Sequence, residues 1–320
     1  MATSPADPVR CVADIGEFGL IDEVVALFPV TPQVLIGSGD DAALLATQGP
    51  VLVTTDLMVE GRHFRRDWSA ALDVGHKVAA ANLADIAAMG GTPSGLVVGL
   101  ALPADLPVQW VRDMAAGVAE ELQPVGATVV GGDVTESDQI VVAVTALGHA
   151  AGDPVTRHGA RPGDVLAVAG RLGWAAAGLA VLGRGFRSPR VVVEAHRRPQ
   201  PPYAAGPQAL AAGATAMIDV SDGLLGDLAH VAERSGVRVN VETALVDVPE
   251  PLRAVGAALG IDPLSFCLTG GDDHALAATF PPGLPLPQGW RRIGSVRAGE
   301  GVTVDGTAHS GSPGHRHFAR

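Results

Sequence analysis

Two hydrophobic periods run through this chain, one near 3.6 residues and one near 2, and they alternate along most of its length. Apolar residues spaced by three and four predict helices over 16–27, 73–91, 107–123, 174–182, 222–235 and 250–259. In the long second helix Val74, Val78, Ile86 and Met89 contribute to the apolar face, and Gly90 and Gly91 close it. Short apolar runs bounded by Gly, Pro or Asp predict strands over 51–56, 95–103, 140–150, 165–169, 215–219, 237–242 and 275–280, with another ending at Gly131. The polar, Gly- and Pro-rich stretch 152–163, GDPVTRHGARPG, marks a domain boundary. Two mixed α/β domains follow from this order, 1–150 and 151–320. The connection HRRPQPPYAAG is too proline-rich for regular structure, and the last dozen residues, HSGSPGHRHFAR, are expected to be loosely held.

Composition narrows the picture. At 320 residues, 47% hydrophobic but only 4% aromatic, the cores must be built mainly from Ala, Val and Leu. No run of 18 uncharged apolar residues exists, and the N-terminus lacks a basic segment followed by a hydrophobic one, so neither a membrane span nor a signal peptide is expected. Cys11 and Cys267 form no disulfide framework and no metal-ligand spacing, which points to a reducing, cytoplasmic setting. A net charge of −12 argues against nucleic acid as a partner. It leaves room for a small phosphorylated ligand if divalent cations stand between the two sets of anions.

The candidate chemistry is centred on aspartate. No Gly-Lys pair, no G-x-G-x-x-G after a strand and no G-x-S-x-G elbow occurs, so the common nucleotide loops and acyl-transfer machinery are absent. Instead, aspartates recur at glycine turns beside apolar segments: GSGDDAALL with Asp40 and Asp41, VVGGDVTES with Asp133, IDVSDGLL with Asp219 and Asp222, and LTGGDDHAL. Thr54, Thr55 and Asp56 end a strand, so hydroxyls and a carboxylate are expected to emerge there together. Asn82 and Asp85, three apart, share a face of the long helix, among Ala, Leu, Ile and Met. A carboxylate there needs a partner. Ser221-Asp222-Gly223 caps a helix whose N–H groups suit an anion. Taken singly, each Asp after Gly reads as a turn former or helix cap; their coincidence favours a hard cation held by oxygens, Mg²⁺ before Zn²⁺. A lone histidine such as His63 is more often structural than a ligand, and Arg157 pairs either with a phosphate or with a nearby aspartate. His309, His315 and His317 lack metal-site spacing.

Taken in order, GEFGLI, GSGDDAAL, TTDLMVEGRHF, HKVAAANLADIAAMGGTP, GGDVTES, VTRHGARPGD, IDVSDGLLGDL, LTGGDDHAL and GHRHF span nearly the whole chain. In these segments it resembles the thiamine-monophosphate kinase family, part of a superfamily with aminoimidazole ribonucleotide synthetase, selenophosphate synthetase and a hydrogenase-maturation protein. The resemblance implies an N-terminal domain whose sheet pairs with that of a second subunit, a C-terminal α/β domain, and an ATP cleft between them. It implies direct, in-line transfer of the ATP γ-phosphate to thiamine monophosphate, with several Mg²⁺ ions and no general base, by a homodimer.

Position by position, Asp41, Thr54, Thr55, Asp56, Asp85, Asp133, Asp219 and Asp222 match the metal and Mg-ATP ligands. Gly132, Asp133, Arg157 and Ser221 match nucleotide contacts, and His63, Asp272 and His315 match the substrate side. Two departures fall on the acceptor side. Gly-Gly-Glu-Asp-Tyr-Glu-Leu, usual in the family, reads Gly271-Asp272-Asp273-His274-Ala275-Leu276 after Gly270, and the aromatic after the last glycine is His315. The other superfamily activities fit less well: Cys11 lacks the glycine-rich setting of a selenophosphate synthetase, and HFAR lacks a terminal cysteine. The alternative is a non-catalytic or acceptor-shifted Mg-ATP-binding relative.

Overall fold

The computed structural model describes residues 9–39, 42–47 and 49–315. Asp41, an expected metal ligand, and its neighbour Asp40 lie outside the described residues, as does the end of the GHRHF segment. The elements are helix α1 (Val12–Val25), strands β1 (Val34–Ile36), β2 (Leu44–Leu45) and β3 (Leu52–Val59), α2 (Ala71–Ala88), β4 (Gly91–Leu102), α3 (Val108–Leu122), β5 (Thr128–Glu136) and β6 (Val141–Ala150). They continue with β7 (Val165–Ala169), α4 (Trp174–Gly183), α5 (Arg190–Arg197), α6 (Ala205–Ala211), β8 (Ala216–Val220), α7 (Leu224–Ser235) and β9 (Arg238–Val241). Helices α8 (Glu250–Leu259) and α9 (Pro263–Thr269) precede β10 (Ala275–Phe280), β11 (Trp290–Arg297), β12 (Gly301–Val304) and β13 (Thr307–Ala308). Two compact units result: one draws on residues up to Ala46 with Thr55–Ala79 and Gly95–Thr145, the other on Thr47–Thr54, Ala80–Ser94 and Ala146 onward.

The first unit carries most of a four-stranded sheet in the order β3–β6–β4–β5, with β4 parallel to β5. Period-2 patterning is clear on β6, where Val142 and Val144 are fully buried and their neighbours face the other way. That other face is apolar and exposed: it carries Leu57 of β3 at 53% exposure and Val97 of β4 at 38%. The Thr145 hydroxyl donates to Thr55 Oγ1 at 3.2 Å, and a side chain on Gly99 would touch the Ala143 methyl, which puts these residues on the same side.

Helices α2 and α3 approach closely because small residues line their crossing. A methyl group on Gly117 would lie 2.1 Å from the Leu72 carbonyl oxygen, and one on Gly75 would lie 2.0 Å from that of Met114. Gly117→Ala must therefore part the two helices. We expect it to cost about 1–3 kcal/mol by overpacking, read as a lower denaturation midpoint, whereas Ala116→Ser nearby should be close to neutral.

The second unit holds a seven-stranded sheet in the order β13–β12–β9–β11–β7–β10–β8. β10 runs antiparallel to both β7 and β8, and β12 runs parallel to β9. Five consecutive buried residues on β8 and six on β10 mark strands covered on both faces. One core cluster packs Ala167, Ala169, Met217, Leu276, Ala278 and Phe280 with Ala87 and Ala88 from the last turn of α2. The Val155 N–H also donates to the Met89 carbonyl at 3.1 Å. The C-terminal part of α2 is thus built into this core, and it brings Asp85 with it.

The predicted elements recur with shifted ends. The first helix begins at Val12 rather than 16, broken where Gly16 takes φ 66°. α2 spans 71–88, and β4 starts at Gly91 instead of 95. β5 does not end at Gly131: it continues to Glu136, with Asp133 opposite Gly99 in the ladder, so Asp133 is an exposed mid-strand residue rather than a strand-end one. Helices α5, α6 and α9 and strands β1, β2 and β11 to β13 were not predicted.

Candidate active site

In the second unit the site is assembled from loops at the ends of β8 and β10. Asp219 is buried on β8, next to last in a strand paired with β10 through Leu276. The chain then turns through Ser221, Asp222 and Gly223 into α7, and two other segments hang on this turn. The Asp272 N–H donates to the Ser221 carbonyl at 2.8 Å, and the His315 N–H donates to the Asp222 carbonyl at 2.8 Å. A side chain on Gly271 would strike the Ser221 carbonyl oxygen at 2.0 Å, so only glycine permits this approach. Asp272, at φ 66°, and His274, at φ 51°, occupy the left-handed region that non-glycine residues seldom adopt. Backbone strain of this kind concentrates at functional loops.

Asp85 reaches the same neighbourhood from α2. It is half-buried rather than fully buried, and the Thr54 hydroxyl donates to its Oδ2 at 2.7 Å. The His274 imidazole lies among the carboxylates, with Nδ1 3.2 Å from Asp219 Oδ2. Burial by itself would lower the His274 pKa. The hydrogen bond to Asp219 and the charges of Asp219, Asp272 and Asp85 outweigh burial and hold it above the ordinary histidine value.

The turn before α7 differs from expectation. Its N–H groups are not left open for a bound anion: the Asp222 and Gly223 N–H groups both donate to Asp227 Oδ2, at 3.1 and 3.0 Å. Asp227, one turn into the helix, reaches back and supplies the negative charge that the helix end favours. Burial, then repulsion from Asp219, and then from Asp222, push its carboxyl up to about 7 against the pull of these N–H bonds. The second carboxylate of the GDDH segment is also a cap. Asp273 Oδ1 accepts from the Ala175 N–H at 2.9 Å, across 98 residues of sequence, and so closes the N-terminus of α4. Burial pushes Asp273 up to about 7, opposed by the backbone N–H groups of Ala175, Gly173 and Trp174.

Other expected residues fall in separate settings. The pleat of β3 divides Thr54, Thr55 and Asp56: Thr54 and Asp56 are half-buried on one face, whereas Thr55 is on the exposed opposite face and its hydroxyl donates to the Val144 carbonyl at 2.9 Å. The three side chains therefore do not emerge together, because successive strand residues point to opposite sides. Asp56, His63, Gly132 and Asp133 belong to the first unit. His63 Nδ1 accepts from the Val59 N–H at 3.0 Å, which fixes a neutral ring with its proton on Nε2. Arg157 is exposed and makes no ion pair among the described residues, while its carbonyl accepts from the Ser235 hydroxyl at 3.2 Å. Asp227, Asp273 and His274 were not anticipated as participants. An Asp inside the first turn after SDG is a signal for the first of them; the cap by Asp273 leaves no local trace.

The fold and sequence place the chain in a defined class of proteins. The models of the AIR synthase related protein family match here, the N-terminal domain over residues 39–150 and the C-terminal domain over 161–273. Within that class, the chain is 46% identical over 308 residues to a thiamine-monophosphate kinase of Mycobacterium tuberculosis, covering 95% of this chain and 92% of the relative. A solved thiamine-monophosphate kinase from Stenotrophomonas maltophilia superposes with a TM-score of 0.80 at 33% identity, over 92% of this chain and 98% of that one. AaThiL, solved in complex with AMPPCP and TMP, superposes with a TM-score of 0.77 at 30% identity, over 98% of this chain and 100% of that one. The chain belongs to the thiamine-monophosphate kinase family.

Proposed function

We propose that this chain transfers the γ-phosphate of ATP to thiamine monophosphate, yielding thiamine diphosphate and ADP. The observation that carries the reading is the meeting of distant stretches of sequence at one turn: His274 Nδ1 lies 3.2 Å from Asp219 Oδ2, and the Asp272 N–H donates to the Ser221 carbonyl at 2.8 Å. The complex of AaThiL with an ATP analogue and TMP supports the choice of both substrates.

The donor set fits Mg²⁺. It is made of oxygens, and its carboxylates are close enough to raise the pKa of a neighbouring acid, as Asp219 and Asp222 do for Asp227. Among the described residues no group of three or more His, Cys, Asp or Glu side chains is placed to hold a metal ion by itself. Asp85, Asp219 and Asp222 with Thr54, Asp56 and Asp133, and Asp41, would hold the ions. Once bound, Mg²⁺ supplies positive charge that offsets the triphosphate and the developing charge of transfer.

The residues of the chain position the reactants. Gly132, Ser221 and Arg157 are assigned to the nucleotide, with Arg157 exposed and able to meet a phosphate. The His63 ring, protonated on Nε2, can donate to the acceptor phosphate. Asp272 and His315, whose N–H groups donate to the adjacent Ser221 and Asp222 carbonyls respectively, would border the thiamine moiety, whose thiazolium is cationic and suits a carboxylate. An acceptor phosphate oxygen, ionised near neutral pH, forms the new bond to the γ-phosphorus as the bond to ADP breaks. No general base is needed, and no phosphoenzyme forms.

We further assign residues 1–150 to metal and ATP binding and dimerisation, and 151–320 to completing the nucleotide and acceptor site. The exposed apolar face bearing Leu57 and Val97 supports a homodimer. Among the described residues no single helix is long and apolar enough to cross a membrane. The two free thiols, Cys11 and Cys267, support a reducing, cytoplasmic setting.

Purified protein with Mg-ATP and thiamine monophosphate should give thiamine diphosphate and ADP in equal amounts by chromatography, and EDTA should abolish both. Binding of Mg²⁺·AMPPCP without product would instead identify a nucleotide-binding relative with a different acceptor, or none.

A further inference from the structure

The His274 side chain lies among the carboxylates of this site, and no part of the phosphoryl-transfer scheme above uses it. It is anchored at three points. Its N–H donates to the Val220 carbonyl at 3.1 Å, its φ is fixed at 51°, and its ring is tied to Asp219 at 3.2 Å. Both partners are sealed from solvent, with side-chain exposures of 7% and 6%. Nothing local demands a histidine here. Asp219 lies on the neighbouring strand opposite Leu276, two residues along from His274.

We infer that His274 is a positioning residue that locks the Asp219 carboxylate by engaging its Oδ2, so that Asp219 offers a cation a single oxygen, Oδ1, in a fixed orientation. This rests on the kinase reading for the role of Asp219 but assigns a new task to a residue outside the ligand set. The physical reason is rotamer restriction. A buried aspartate without a partner would swing between orientations, and a ligand oxygen off by a fraction of an ångström weakens the site; groups that orient ligands typically change metal affinity 10–100-fold when lost. Imidazole is suited to the task because Nδ1 lies close to its own backbone and can donate sideways to the next strand. Its other nitrogen, Nε2, is buried with no hydrogen-bond partner among the described residues, so it can take up a ligand oxygen or a water.

The test compares His274→Phe, which keeps the bulk but not the donor, with His274→Asn, whose amide nitrogen can replace Nδ1 and whose backbone tolerates positive φ. Calorimetric titration of AMPPCP is run at graded Mg²⁺ without thiamine monophosphate. His274→Phe should need roughly 10-fold more Mg²⁺ for half-maximal nucleotide binding, and His274→Asn should restore most of this. In an Asp219→Asn background the His274→Phe change should add nothing further. An unchanged Mg²⁺ requirement in His274→Phe, or equal defects in Phe and Asn, would overturn the inference.

A wild-type protein that binds no Mg²⁺·AMPPCP would sink the kinase reading instead. The positioning role is then decided by ligand-free melting of the two single variants and the double variant. Non-additive shifts in Tm are expected, and additive shifts overturn the proposal.

Discussion

Asp85→Asn is expected to lower kcat/KM for phosphoryl transfer by about 10²–10³-fold while leaving the protein folded. Asparagine keeps the size of the side chain and an oxygen that can accept from the Thr54 hydroxyl, now at 2.7 Å from Oδ2. Asp85 is half-buried and its charge helps hold the His274 imidazole above the ordinary histidine value, so the substitution removes a charge rather than a packing element. What disappears is negative charge at the point where the cation is to be held. Thr54→Val is the milder companion: it removes one hydroxyl donor to a carboxylate and should cost about 10-fold. If Thr54 acts through Asp85 alone, the double variant should be no worse than Asp85→Asn. Steady-state rates at saturating Mg²⁺ and single-turnover traces separate a loss of binding from a loss of transfer. Activity of Asp85→Asn within a few-fold of wild type would remove Asp85 from the ligand set.

Much of this fold was readable wherever one period dominated. The strands around Val165–Ala169 and Ala275–Phe280 are continuous apolar runs, and helices α3, α4, α7 and α8 lie close to their predicted positions. The elements that escaped do so for separate reasons. RVVVEAHR in α5 has three consecutive β-branched residues, a strand signal locally, yet packing buries Val192 and Val193 on a helix. β11 is interrupted by a bulge between Arg292 and Gly294, which spoils its alternation. The β12–β13 hairpin was missed although it carries a local signal: Asp305 and Gly306, at φ 49° and 81°, form the Asp-Gly pair that two-residue hairpins favour.

The site followed the same division. Glycine-turn aspartates can be read from sequence because turn chemistry is local. Which oxygens end up paired is not local. Asp227 caps its own turn, Asp273 caps a helix 98 residues away, and Thr55 is turned away by the pleat of its strand. Of two adjacent aspartates in GDDH, it is Asp273 whose side chain supports the scaffold, and only the folded chain reveals this.

That scaffold role gives the largest expected effect on stability. Asp273→Ala should destabilise the protein by about 3–5 kcal/mol, because it removes the cap on α4 and leaves buried N–H groups of Gly173 to Ala175 without an acceptor. Asp273→Asn should behave differently. Its amide oxygen can still accept from Ala175, and it has no charge to bury. In the wild type, burial raises the carboxyl from 3.8 to about 7, so the folded state prefers the protonated form. The stabilisation tied to that proton is fully present below about pH 4 and is lost as the pH rises through about 7, amounting to a few kcal/mol. Wild-type Tm should therefore fall over this window more steeply than that of Asp273→Asn: the two should lie close together at pH 5, where the wild-type carboxyl is neutral like the amide, and the wild type should lie below the variant at pH 8. Asp227, also raised to about 7, keeps its own share, so the slope in Asp273→Asn is reduced rather than abolished. Thermal melts in EDTA at pH 5, 6.5 and 8 decide the matter. Parallel slopes for wild type and Asp273→Asn would mean that the cap is charged throughout, with the N–H groups of α4 outweighing burial.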